Sequence, residues 1–236
     1  MEKGYKNLVY FFAALALITF IGFYKKYFGL APDFPGLKNI HHFHAIVLTT
    51  WLGLLIVQPI LILNHKLRLH KFLGKCSYFL VPIAFISMIL AYHNQYLRFL
   101  SEEQSEIFVL SFVFAPATDA IPFVILYLLA IFNKNETPKH MRYMITTGIV
   151  IGGPGLGRIF INWLGIDIFE AIQIQVLIQF FTFISFILYD KIRRKNFQLN
   201  PYTIAFIIWL IPNVLIMFFP ETSVWQDFAK WLVNTF

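Results

Sequence analysis

The stretch FHAIVLTTWLGLLIVQPILIL, residues 43–63, decides the fold. It contains no Asp, Glu, Lys or Arg. An α-helix needs about 20 apolar residues to cross a hydrocarbon core about 30 Å thick, so this run is one membrane span. Comparable runs recur along the chain, and we read spans at 7–24, 43–63, 75–93, 107–132, 142–164, 170–190 and 202–220. The expected fold is an all-α, polytopic transmembrane helical bundle of about seven spans. The connections are short and carry no Ser-rich or Gly-rich linker, which predicts one integral membrane domain over residues 1–236.

Composition agrees. The chain is 58% hydrophobic and 13% charged, whereas soluble domains carry about a quarter charged residues, and this excludes water as its main solvent. MEKGYK, residues 1–6, leads into an apolar run of span length with no small-residue cleavage pattern, so the first span is expected to be retained. Cys76 stands alone, which excludes an intramolecular disulfide and a CxxCH haem attachment and predicts a packing residue.

Lys and Arg concentrate on the cytoplasmic side of membrane proteins. With seven spans, most of the 19 basic residues fall on the face that bears the N-terminus, among them Lys3, Lys66, Arg68, Lys71, Lys75, Lys139, Arg194 and Lys195. The expectation is a cytoplasmic N-terminus and a multi-pass protein of a bacterial inner (plasma) membrane. The net charge of +7 is accounted for by this bias and by anionic lipid head groups, and gives no ground for nucleic acid as a partner.

Polar side chains inside lipid are costly unless they face the bundle interior. On the second span His44, Trp51, Gln58 and His65 recur every seven residues, a step that rotates a helix by only about 20°, so they share one face. On the fifth, His140, Tyr143, Thr147, Pro154 and Arg158 form a second stripe, interrupted by GGPGLG at 152–157. That segment is expected either to unwind into a backbone-lined site or to pack helices closely through its small residues. Asp119 lies at mid-membrane depth between Pro116 and Pro122. A carboxylate there is protonated or paired, and Arg158 is the expected partner, which with Trp51 and Gln58 predicts a polar pocket. Gln175 and Gln179 either line the same interior or hold helices together.

All seven histidines fall near span ends, in an outer group of His41, His42, His44 and His93 and an inner group of His65, His70 and His140. Imidazoles on facing helices can hold a haem iron or a metal, and zinc with three protein ligands activates water; His44, His65, His70 and His140 are the candidate ligands. No HExxH occurs, and no Ser stands with a His as a nucleophile.

His44, the segment LHKFLGKCSY at 69–78 and HMRYMITTGIVIGGPGLGRI at 140–159 together resemble a family of bacterial "predicted membrane proteins". Its members carry an early His in one span, an HRxxGRxY-like element and an HxxWM element with a downstream Arg. The matching positions are His44; His70, Gly74, Lys75 and Tyr78; and His140, Tyr143, Met144 and Arg158, over roughly residues 40–165. Lys71 and Lys75 stand where Arg is usual and Tyr143 where Trp is usual, which keeps charge or aromaticity but removes bidentate donors. The resemblance, distantly to membrane b-type cytochromes, implies His44, His70, His140 and Arg158 as cofactor-binding residues, with the arginine suited to haem propionates.

Three functions follow as expectations. The first is electron transfer through haem b or a redox metal, with a quinone or another small lipid-soluble substrate as partner beside the bilayer itself. The second is a transporter or lipid-binding protein using Asp119 and Arg158. The third is a zinc-dependent lipid hydrolase built on His70 and His140.

Overall fold

The computed structural model describes residues 5–193 and 200–235. Lys3, Arg194 and Lys195, which enter the charge reading, lie outside the described residues. The long helices are α1 (Tyr5–Tyr24), α2 (Asn39–Leu63), α3 (Leu67–Ser101), α6 (Thr137–Leu164) and α7 (Ile168–Ile192). Shorter ones are α4 (Glu106–Phe112), α5 (Ala120–Phe132), α8 (Pro201–Leu215) and α9 (Ser223–Thr235). No strand occurs among the described residues. Seven helical stretches are long and apolar enough to cross a membrane, so the chain is a multi-pass membrane protein.

Local chemistry sets the helix ends. Ser105, Asp167 and Asn200 cap α4, α7 and α8 by accepting from the backbone N–H of Phe108, Phe169 and Tyr202. Gly165, at φ +68°, ends α6 in the left-handed region that glycine adopts without strain. α3 has 35 residues, about 52 Å of helix, and therefore overruns the hydrocarbon core beyond the expected 75–93.

The fourth span is broken. α4 stops at Phe112, a single tight turn holds Ala115–Ala117, and α5 restarts after Asp119. Pro116 cannot donate in a helix interior, whereas Pro122 sits in the first turn of α5, where the missing N–H costs nothing. Carbonyls freed inside a membrane need partners, and the last third of the chain supplies them. Asn213 donates to Thr118 O at 3.2 Å, Trp225 Nε1 to Leu110 O at 3.0 Å and Gln226 to Ile107 O at 3.2 Å. α9, which carries Trp225 and Gln226, leaves Val224, Phe228 and Trp231 exposed, the form of a helix lying at a membrane interface.

GGPGLG, by contrast, stays within the continuous helix α6. Its glycines serve packing. A Cβ on Gly22 would lie 2.0 Å from Gly155 O, and one on Gly155 would lie 2.6 Å from Thr19 Cα, so α1 and α6 touch backbone to backbone. Gly153 leaves room for Gln179, which donates to Ile149 O at 2.8 Å; Gln179 therefore joins α7 to α6.

One ion pair closes the end of the bundle that bears the N-terminus. Arg142 Nε donates to Asp190 Oδ2 at 2.6 Å and Nη2 to Oδ1 at 2.7 Å, with the two side chains 2% and 0% exposed. Arg142 also donates to Pro138 O and lies over the Tyr202 ring, and Asn200 donates to Asp190. The start of α6, the end of α7 and the start of α8 are thus joined by a bidentate pair with further hydrogen bonds on both partners.

Candidate functional site

At the opposite end of the bundle the helices diverge around a cavity of about 430 Å³, within the range typical of small-molecule sites. α1 contributes Thr19 and Phe23, α2 His44 and Leu48, α3 Tyr92 and Arg98, and α6 Pro154 and Arg158; Asp119 comes from the break in the fourth span. The lining is mostly apolar, with Leu52, Met88, Phe112 and Ile151 among the walls. Polar groups converge on one side, and three of them are basic: Lys26, Arg98 and Arg158.

The break positions Asp119. It occupies the residue before α5 at φ −137°, and its side chain does not cap that helix. Only 9% of Asp119 is exposed. Its Oδ2 accepts from the Tyr92 hydroxyl at 2.6 Å, and its Oδ1 is buried without a hydrogen-bond partner. The expected pair with Arg158 is not made: among the described residues Arg158 forms no ion pair, and its recorded contact is the Phe23 ring, 6.0 Å from its guanidinium carbon. Tyr92, which sequence reasoning missed, takes the place of the arginine because α3 packs beside the break and presents its hydroxyl to Asp119. Nothing in the local sequence marks Tyr92 apart from the other tyrosines.

His44 is held by α3. Its Nδ1 lies 3.2 Å from Ser87 Oγ, and Ser87 donates its one hydroxyl proton to Ala84 O at 2.7 Å. Nδ1 must therefore be the donor to Ser87, which leaves Nε2 with its lone pair and no recorded protein partner. His41, one turn earlier on α2, is engaged at both nitrogens: Lys38 N donates to Nδ1 at 2.8 Å, and the Asn94 amide lies 3.3 Å from Nε2. At the mouth Tyr27 meets His42 Nδ1 at 3.0 Å, and burial pushes its phenol pKa up.

The other expected residues are elsewhere. Trp51, 0% exposed, packs edge-on against Phe123 and Tyr127, and its Nε1 has no partner. Gln58 donates to His70 O at 3.3 Å, towards the end of the bundle that bears the N-terminus. Neither lines the cavity, so the polar pocket of the sequence reading reduces to Asp119 and Arg158. His65 lies past the end of α2, exposed and at φ +56°, and therefore leaves the stripe that its spacing predicts. His70 and His140 are electrostatic neighbours, with His140 Nδ1 at 2.8 Å from Ala130 O and His70 Nδ1 buried without a partner. Of the α6 stripe, Tyr143 and Thr147 are buried in the bundle, and Pro154 and Arg158 reach the cavity.

These positions bear on the expected cofactors. A haem held from both sides needs two opposed imidazoles, and His44 shares the cavity with His41 on its own helix but with neither His70 nor His140. Among the described residues no three of His, Cys, Asp and Glu gather to hold a metal ion, which removes the geometric basis for a zinc site at His65, His70 and His140. The residues present thus fit neither a bis-histidine haem in the cavity nor a three-ligand zinc. The buried pair Arg142–Asp190 was also missed by sequence reasoning. Its one signal is a carboxylate in the last turn of an apolar run, obscured by the basic residues that follow it.

No family model, no curated protein and no solved structure matches this chain.

Proposed function

We propose that the protein binds a small amphipathic molecule in the cavity between α1, α2, α3, the broken fourth span and α6, as a transporter or lipid-binding protein. One observation carries this reading: an arginine inside an apolar-walled cavity forms no ion pair among the described residues, while the nearby carboxylate is bound to a tyrosine. A charge in such surroundings is costly unless a partner compensates it, and intramembrane ionisable groups mark ligand pathways. Broken helices at membrane depth are tolerated where they line a cavity, which fits the interruption at Asp119. The bias of basic residues supports reading the N-terminus as cytoplasmic, and on that reading the cavity opens on the outer face of a bacterial plasma membrane.

The test is native mass spectrometry of the full chain released from lipid nanodiscs, wild type beside Ala91→Phe, which fills the cavity from α3. A bound small molecule present on the wild type and lost from the variant is the expected result. Identical spectra, with both proteins folded, would remove the reading.

A further inference from the structure

The chemical class of the ligand can be argued from the same cavity, and this inference rests on its reading as a ligand site. Two polar groups at its wall carry the argument, and they ask for different things. The Arg158 guanidinium, over the Phe23 ring, offers donors and positive charge. His44 Nε2 offers an acceptor, because Ser87 fixes the proton on Nδ1. Asp119 Oδ1 is buried behind the wall with no surface open to a ligand. Lys26 and Arg98 add positive charge at the same end, Arg98 being partly countered by Glu102 at 3.5 Å.

We infer that the cavity takes an amphipathic organic anion that also carries a hydroxyl or N–H donor. The anionic oxygens meet Arg158, whose planar fork suits them. The donor meets His44 Nε2, and the apolar part lies along Leu48, Leu52, Met88 and Ile151. A plain fatty acid satisfies the arginine but leaves that acceptor bare. An oxidised quinone head only accepts hydrogen bonds, so it supplies neither the charge nor the donor. A cationic amphiphile meets Lys26, Arg98 and Arg158 as like charges. The same chemistry could come from a free amphiphile or from an anionic lipid headgroup with hydroxyls.

The experiment titrates the full chain, in nanodiscs of phosphatidylcholine, with 3-hydroxydecanoate, decanoate and 1,2-decanediol by isothermal calorimetry. 3-Hydroxydecanoate is expected to bind best, and the other two about tenfold or more weaker, because each leaves a charged or buried polar group unpaired. Arg158→Gln should erase the preference over the diol. His44→Leu, which removes the Nε2 acceptor, should erase the preference over decanoate. The wild-type series is decisive even if a variant fails to fold. Diol binding as tightly as hydroxydecanoate overturns the anion, and decanoate binding as tightly overturns the donor. If none of the three binds while Ala91→Phe still strips a native ligand, the class is wrong and the cavity reading stands; if Ala91→Phe strips nothing either, both fall. Repeating the titration with phosphatidylglycerol in the nanodisc identifies the source: competition assigns a lipid headgroup, its absence a free anion, and the class holds in either case.

Discussion

α6 carries two arginines, one near each end, and the protein treats them in opposite ways. Arg142 is 2% exposed, bidentate on Asp190, and further held by Pro138 O and the Tyr202 ring, while Asn200 donates to Asp190. Arg158 lines a cavity, faces the ring of Phe23, and forms no ion pair among the described residues. Burying charge is repaid only when geometry and hydrogen bonding are complete. The first arginine meets that condition within the chain, so its work is holding α6, α7 and α8 together. The second meets it only with something from outside, which is how a binding group differs from a structural one.

Breaking the closed end should have the largest effect. Asp190→Ala strands a buried guanidinium and is expected to cost about 3–5 kcal/mol, read from unfolding by SDS in mixed micelles. Replacing both partners, Arg142→Met with Asp190→Leu, should restore most of that loss, since it removes the desolvation along with the attraction. A double variant as unstable as the single one would show that the pair does more than neutralise itself.

Gly155→Leu comes next. Its side chain must enter the space of Thr19, prising α1 from α6 beside the cavity, at about 1–3 kcal/mol in the same assay. Tyr92→Phe leaves Asp119 Oδ2 without its donor and should cost about 1–2 kcal/mol, with weaker retention of the native ligand. The smallest stability change is expected for Arg158→Gln, within about 0.5 kcal/mol of wild type, because its guanidinium meets the fold at the Phe23 ring, 6.0 Å away, rather than through an ion pair among the described residues. The same variant should lose the bound molecule seen by native mass spectrometry. Should Arg158→Gln destabilise the protein as much as Asp190→Ala, the contrast between the two arginines would collapse.

Much of the frame was legible in the residue order. The seven spans follow from apolar runs, and Asp119 and Arg158 stand out as ionisable groups at membrane depth. Both reach one cavity, yet the direct pair between them is not made, since Tyr92 of α3 holds the carboxylate instead. The expected stripe of α2 also divides: His44 opens on the cavity, Trp51 is packed among aromatics, Gln58 turns to His70 O, and His65 falls off the helix end. Spacing at seven places residues on one face of a helix but does not say what that face meets at each depth.

The sequence by itself determined that this chain lives in a membrane and how often it crosses, because both depend on hydropathy summed over a local window and on the fixed rise of a helix. Tertiary structure alone decided which polar groups are satisfied and which are left for a ligand. Arg142 and Asp190 lie 48 positions apart, Tyr92 and Asp119 lie 27 apart, and His44 and Ser87 lie 43 apart. Pairing over such distances is set by how helices pack and where one of them breaks, through contacts of a few ångströms to which residue order along the chain is blind.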